Sequence, residues 1–353
     1  MPFEPQRAQD ITWAFSTKKQ ADYATLVPDG NLDQHISLIG ADVADLSRTS
    51  FSDAARYGKG HEFPTQFREL TRDLRFARTT DFTSLMAGWA AAFGMGSVVT
   101  TQPNPVSNPG AYRHVITFSN ASASKQVPVT TIYEQLSGQT AFQRKLESLA
   151  VADFTITGKA REVAQLQMNL VGSGRITNGS VTVPSLTPVS ALDMGGMVFK
   201  LGAQGAPTDL SPRLIEFSVK VTQNLDLDNG YHPGSGLFRD RMWMGARRAT
   251  FDATVFVDAG STDIFDEWLA AGPLEASFHF IGDAILNGQP ETHDCEIKFP
   301  AVRLTAIPIS AQNDLLVYSI SAGENDVYKD AGGTPNEPLQ ITVTNTVPAY
   351  LGT

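Results

Sequence analysis

His293, Asp294 and Cys295 form the densest group of metal-ligand side chains in the sequence. At strand spacing His293 and Cys295 share one face, as two ligands of a zinc site would. A tetrahedral site takes four, however, and no third or fourth stands at ligand spacing. A strand-edge histidine beside a buried cysteine accounts for the pair without a metal. Asp226, Asp228 and Asn229 look like the opening of a calcium loop, but Gly230 comes too early and no closing glutamate follows at the required spacing, so a turn is expected there. His35, His61, His114, His232 and His279 have no evident serine or cysteine partner with a third orienting group. GxSxG, HExxH, CxxC and a glycine-rich phosphate loop are all missing, and nothing selects a pair of carboxylates for glycosidase chemistry. Asn120 and Asn178 sit in Asn-x-Ser sequons, which matter only in a secreted eukaryotic chain. The expectation is therefore a protein that is not an enzyme and carries no cofactor and no metal.

The elements that position side chains are clearer than any catalytic group. Arg247–Gly272 (RRATFDATVFVDAGSTDIFDEWLAAG) reads as an alternating strand, a turn and a short capped helix. Arg68–Phe93 (RELTRDLRFARTTDFTSLMAGWAAAF) repeats that order. Laid over each other without gaps, they bring Trp89 onto Trp268, Arg68 onto Arg247, Thr71 onto Thr250, Asp73 onto Asp252 and Thr83 onto Thr262. A shared order of hydrophobic pattern is what a duplicated domain keeps longest. Leu70, Leu74 and Phe76 point one way and Glu69, Thr71, Asp73 and Arg75 the other, with Arg72 the exception on the apolar side. Phe251, Ala253, Val255 and Val257 alternate in the same manner with Thr250, Asp252 and Thr254. Asp81 or Thr83 caps the first helix, whose stripe is Leu85, Met86, Trp89 and Phe93. Ser261 or Thr262 caps the second, with Ile264, Phe265, Trp268 and Leu269. Gly94 and Gly272 supply the stops. Trp89 and Trp268 are expected as core anchors of the two helices.

With 353 residues the chain is long enough for two domains of ordinary size. β-branched residues, threonines and frequent Gly, Pro and Asn turns make the class mainly β. A net charge of −10 without clustered Lys and Arg argues against a general nucleic-acid grip. No apolar run is long enough to cross a bilayer, and MPFEPQRAQDITWAF lacks the apolar core of a signal peptide. Cys295 is the single cysteine, so no disulfide framework forms.

In chain order, residues 1–34 read as a polar N-terminal arm and His35–Ile39 as a first strand. Phe51–Phe63 reads as an exposed loop. Residues 97–111 hold a Pro-rich insertion (TTQPNPVSNPG). A hairpin is expected from Tyr112–Ser119 and Val127–Tyr133, joined by NASASK, and a second one within Ser148–Gly174. In that second hairpin Phe154, Ile156, Leu166, Met168 and Leu170 are apolar, with Gln165, Gln167 and Asn169 opposite. Leu149–Gly174 overlays Phe299–Glu324, placing Phe154 on Leu304, Leu166 on Leu316 and Met168 on Tyr318. The boundary falls near Pro184, giving domains 35–184 and 185–353. In the second domain Met197–Leu201 and Leu214–Thr222 are strands, Phe278–Ile281 pairs with Cys295–Phe299, and Leu339–Asn345 is the closing strand.

This layout resembles the major tail tube protein of long-tailed, siphovirus-type bacteriophages. The residues that carry the resemblance are the strand-and-helix pair (RFARTTDFTSLMAGWAA; VFVDAGSTDIFDEWLAAG), the polar-faced hairpin (FTITGKAREVAQLQMNLVGSG; RLTAIPISAQNDLLVYSIS) and the closing PLQITVTNTVPAYL. It implies two tandem β-sandwich or barrel-like tube domains, each with one short flanking α-helix. It also implies a virion protein, made in the bacterial host cytoplasm, whose rings stack into a hollow tail tube. Its implied partners are further copies of itself and the tape measure, tail terminator and distal tail proteins, with DNA as transient cargo and no membrane span. Such tubes usually close with six tube domains, so the expected ring is a trimer with pseudo-six-fold symmetry, and a six-chain ring is the alternative. Glu69, Asp73, Gln165, Gln167, Asn169, Asp252, Thr254 and Arg303 are the expected lumen-facing side chains. The rival reading is a two-domain β-sandwich binding or adhesion module for carbohydrate or a host surface. It explains composition and duplication equally well but calls for a cluster of exposed aromatics that the sequence does not show.

Overall fold

The computed structural model describes residues 11–23, 25–37, 45–52, 67–119, 126–136, 143–188, 190–258, 262–270, 272–322 and 337–352. Three strands, β1 (Ile11–Phe15), β2 (Gln34–Ser37) and β3 (Asp45–Ser52), precede the long β4 (Phe67–Asp81), which runs into α1 (Ser84–Met95). Then come β5 (Gly96–Thr101), β6 (Tyr112–Phe118), β7 (Thr130–Leu136), β8 (Gln143–Lys159), β9 (Gln165–Gly172) and β10 (Ile176–Asn178). The second half holds β11 (Met197–Ala203), β12 (Thr208–Asp209), β13 (Leu214–Thr222), β14 (Arg248–Phe256) and α2 (Thr262–Leu269). It ends with β15 (Leu274–Ala284), β16 (Thr292–Val302), β17 (Leu304–Ala306), β18 (Ile309–Gln312), β19 (Leu315–Ala322) and β20 (Gln340–Asn345).

The strands make two antiparallel layers. In the large sheet β3, β4, β9 and β8 lie side by side and are followed by β13, β14, β19 and then β17 and β18. Thus the order first strand, long strand, returning strand, hairpin partner occurs twice, once in each half of the chain. The two runs meet where β8 pairs with β13, from Asp153↔Thr222 to Lys159↔Glu216. The first half of β8 turns away to pair with β7, which in turn carries β1 and β2. The small sheet is β12-β11-β15-β16-β20-β6-β5, so the closing strand β20 sits between a strand of each half.

Alternation decides which faces meet. Phe154, Ile156, Leu166, Met168, Phe217, Val219, Phe251 and Val255 all point from the large sheet into the interlayer core. Phe199, Phe278, Phe280, Ile297 and Ile341 answer from the small sheet. The core is continuous across the two halves: Phe82, at the entrance to α1, packs edge-on against Phe280 of β15 at 4.9 Å.

α1 lies between the layers, against β8 and β9 of the large sheet and β5, β6, β16 and β20 of the small one. Thr83 caps it, its hydroxyl accepting from Met86 N–H at 3.1 Å. Termination falls two residues beyond the expected Gly94, at Gly96, whose φ of 84° suits a residue without a Cβ. All twelve helical residues are buried, not the expected stripe alone. Small side chains allow this: a Cβ on Gly88 would meet Tyr350 Oη at 2.6 Å.

Several expectations are corrected. Ile11–Phe15, placed in an arm, is a fully buried strand, because ITWAF is a short apolar run that pairs with the edge of β7. Averaged polarity over residues 1–34 concealed it. β6 and β7 are not a hairpin, since β6 joins the small sheet and β7 the large one, and the chain between them crosses from one layer to the other. The Pro-rich stretch begins as a strand, β5, before breaking into turns. Leu70, expected inside, is exposed. The second-half hairpin is tighter than its counterpart, with only Asn313 and Asp314 at its turn, both at positive φ. Tyr318 faces Ile309, whereas Met168 faces Phe154, so the overlay that placed Phe154 on Leu304 and Met168 on Tyr318 does not hold across the hairpin. The loop expectations at residues 53–63 and at the NASASK tip lie outside the described residues.

Candidate functional site, the polar face of the large sheet

The outer face of the large sheet is a continuous polar surface over both halves. The ladder registers align its rows. Asp81, Gln165, Thr157, Ser218, Asp252 and Ser321 stand successively opposite one another across six strands. Thr79, Gln167, Thr155, Lys220 and Thr250 form the next row, and Ala77, Asn169, Asp153, Thr222 and Arg248 the one after. Each of these residues alternates with a buried residue on its own strand, so the face follows from the period of two.

Within a row, residues on neighbouring strands hold one another by short polar contacts. Asn169 Nδ2 donates to Asp153 Oδ1 at 2.5 Å, and Ser321 Oγ to Asp252 Oδ1 at 2.6 Å. Carboxylates (Asp81, Asp153, Glu216, Asp252) are interspersed with cations (Lys159, Lys220, Arg248), which leaves no basic track. An open trough of about 400 Å³ lies across the seam between the halves, lined among others by Thr157, Lys159, Gln165, Glu216, Asp252 and Ser319.

The expected site residues divide accordingly. Gln165, Gln167, Asn169 and Asp252 are exposed on this face and Thr254 is half-buried on it. Asp73 lies at its margin but is held by Arg239 Nη2 at 3.1 Å and Arg75 Nε at 2.6 Å. Glu69 is engaged by Arg72 at 2.6 Å, a hydrogen bond that holds its carboxyl below the usual range. Arg303 is exposed but falls in the break between β16 and β17, outside the ladder. Trp89 is buried, and its indole N–H donates to Ser16 O at 3.1 Å. Trp268, expected to match it, is only half-buried and packs partly on Phe265 of its own helix.

Two features escaped the sequence. The connection between β13 and β14 reaches back over the first half, where Arg239 donates to Gly172 O at 2.8 Å and to Leu227 O at 3.1 Å and is itself buried. Glu134 is fully buried and accepts from Arg78 at 2.6 Å, Arg144 at 2.5 Å and the Trp13 indole at 3.2 Å, tying β1, β4, β7 and β8 together. Buried Arg–Glu clusters have no local signature, because their members come from distant strands.

The chemical candidates resolve into structure. His293 Nδ1 lies 3.1 Å from Ser84 Oγ, and Cys295 is buried in the core, where desolvation pushes its thiol pKa up. Among the described residues no group of three His, Cys, Asp or Glu is placed to hold a metal ion. Asp226 makes a turn, accepting from Asn229 N at 3.3 Å and Nδ2 at 2.6 Å.

A family model described as phage tail tube protein matches residues 73–322, from within β4 to the end of β19. Among solved structures, one titled "Structure of a type six secretion system protein" aligns with 14% identity and a TM-score of 0.26, covering 40% of this chain and 88% of that one. The comparison with curated proteins returned no match.

Proposed function

The chain belongs to the phage tail tube protein family, and on that premise we propose that copies of it form the wall of a hollow tail tube, with the polar face of the large sheet lining the lumen. The carrying observation is the row Asp81–Gln165–Thr157–Ser218–Asp252–Ser321, which passes from one half to the other without interruption. A sheet with one apolar and one polar face must turn the polar one to water, and in a closed ring that water fills the channel. Mixed charge along the rows suits passage of DNA, because a polyanion finds no cluster of cations to hold it.

Each half of the chain, residues 35–184 and 185–353, acts as one tube domain in this reading, and β8–β13 is a domain seam made inside the chain. Three chains then complete a ring of six domains, and rings stack into the tube, a virion component assembled with the other tail proteins. No helix among the described residues is long and apolar enough to cross a membrane. The reading is structural rather than catalytic. Negative-stain images of concentrated protein, with mass measurement of an isolated ring, test it: closed rings of three chains are expected. Six chains would sink the trimer, and no closed ring at all would sink the tube.

A further inference from the structure

Asparagine followed by glycine occurs three times, at Asn178–Gly179, Asn229–Gly230 and Asn287–Gly288. The backbone nitrogen after an asparagine can attack the side-chain amide carbon, and glycine favours this because it puts no Cβ in the way and leaves the backbone free to turn. Attack needs an asparagine side chain free to swing, a glycine nitrogen that no carbonyl holds, and room for the peptide to rotate. The dipeptide is the same at all three sites, but their surroundings differ.

Asn229 is locked. It lies in the short 3-10 turn Asp228–Gly230, where Asp226 Oδ2 accepts from its Nδ2 at 2.6 Å. Gly230 N donates to Leu227 O at 3.3 Å, Gly230 O accepts from Asp240 N at 3.1 Å, and the glycine is buried against the side chain of Arg239. Asn178 is exposed, but it closes β10 opposite Arg144 of β8, and the ladder carries on past it, with Gly179 N donating to Gln143 O at 3.1 Å. The nitrogen that would attack is therefore held along an extended backbone.

Asn287–Gly288 has neither restraint. It is the middle of the turn Leu286–Gln289, in the loop that joins β15 to β16, and Gln289 N closes that turn by donating to Leu286 O at 3.0 Å. Gly288 has a φ of 82°, which suits the third residue of a type II turn. Among the described residues no carbonyl accepts the Gly288 N–H and no group holds the Asn287 side-chain amide. Both residues are exposed, and nothing lies within 4 Å of where a Cβ on Gly288 would stand.

We propose that Asn287 is a site of self-modification, at which the exposed turn converts the asparagine to aspartate and isoaspartate through a cyclic imide. Gly288 N bonds to Asn287 Cγ and gives its proton to solvent, the Cγ–Nδ2 bond breaks, and the nitrogen leaves as ammonia after taking a proton from water. Water then opens the imide at either carbonyl. One water is consumed and one ammonia released, with no oxidant, reductant or cofactor. Either product puts a carboxylate where a neutral amide stood, in the same loop as Glu291, whose Oε2 accepts from the buried Asn108 Nδ2 at 3.1 Å and so pins the Pro-rich loop. Isoaspartate also inserts a methylene into the backbone of the turn.

The test keeps the full-length chain in mildly alkaline buffer and follows the three sites over time by peptide mapping in a mass spectrometer, with an isoaspartyl methyltransferase marking the isomerised product. A held Asn–Gly pair reacts only from a locally opened state, so deamidation at Asn287 should outrun that at Asn178 and at Asn229 about tenfold or more. In denaturant the three rates should converge, because the fold alone separates them. Asn287→Gln, whose longer side chain closes an imide ring far more slowly, should remove the fast-growing acidic isoform seen by isoelectric focusing. Equal rates in the folded protein, a faster Asn178 or Asn229, rates that stay apart in denaturant, or an acidic isoform that grows unchanged in Asn287→Gln would each overturn the assignment. So would aspartate without isoaspartate at the site, since direct hydrolysis and not the imide would then be the route.

Discussion

α1 and α2 start from one pattern, a capped helix with a tryptophan on its apolar stripe after an alternating strand, and end in different places. α1 is enclosed by both sheets, with Trp89 touching Phe15 of β1 at 5.3 Å and Phe93 at 5.1 Å. α2 packs on β11 near the edge of the small sheet, and Trp268 keeps only part of its surface covered. The pattern sets which side of a helix is apolar, but the neighbours decide how much of that side is taken from water. In the first half those neighbours belong to the same chain.

The difference is broken most directly at the tryptophans. Trp89→Ala should cost about 3–5 kcal/mol of unfolding free energy, as truncation of an enclosed aromatic does, and Trp268→Ala clearly less in the isolated chain. Denaturant midpoints at unchanged m-value read the effect, and equal losses at both sites would mean that α2 is enclosed in solution. Next comes the ion cluster of the first half. Glu134→Ala leaves Arg78 and Arg144 facing a void and should destabilise by about 3–5 kcal/mol if the first half is as well sealed as the burial of Glu134 implies. A loss below about 1 kcal/mol, the range of exposed pairs, would show that water reaches the site.

A smaller effect is expected at Gly88. The added methyl of Gly88→Ala must displace the Tyr350 ring, which overpacks the helix by about 1–3 kcal/mol. Shortening the obstruction with Tyr350→Phe should recover part of that loss, since Oη makes the nearest contact; no recovery would place the strain elsewhere. Tyr350 Oη also accepts from Asn345 Nδ2 at 2.8 Å and donates to Leu85 O at 3.2 Å, so the rescue is incomplete.

The histidines should register the same contrast most gently. His114 is buried beside β20, donates from Nε2 to Val347 O at 2.9 Å, and desolvation lowers its pKa. Its contribution is complete above the ordinary value of 6.5 and is lost as pH falls below that towards the depressed folded value. His279 is half-exposed on β15, and the Asp294 carboxylate, 3.9 Å from its Nε2, raises its pKa, with Glu296 adding to the effect and burial and Lys200 opposing it. Its contribution is complete below 6.5 and is lost as pH rises through the raised folded value. NMR titration should place the His279 midpoint above 6.5 and that of His114 below it; the reverse order would contradict the packing described for both.

Much of the polar face was legible because it depends on a period of two. Gln165, Gln167, Asn169 and Asp252 alternate with Leu166, Met168, Phe251 and Ala253, and no other register buries the apolar set. Glu69 and Asp73 obey the same alternation, yet their carboxylates are engaged by Arg72 and Arg239. Arg239 lies far along the chain, in a connection whose composition said only that it would turn. Leu304 was matched to Phe154 because an ungapped overlay does not register that one hairpin turns through Asn313–Asp314 and its counterpart through a longer loop.

The sequence by itself determined the mainly β class, the repeated strand-and-helix unit, a cap at Asp81 or Thr83 and the polar side of most strands, since propensity, caps and alternation act within a few residues. Tertiary structure alone decided that ITWAF is a core strand, that β6 and β7 separate into different sheets, that β20 lies between β16 and β6, and that α1 is enclosed while α2 is not. These outcomes depend on which strand edge remains open when the layers meet. That is settled by contacts between residues more than a hundred positions apart, such as Trp13 with Glu134 and Ser84 with Asn345. No local pattern encodes them.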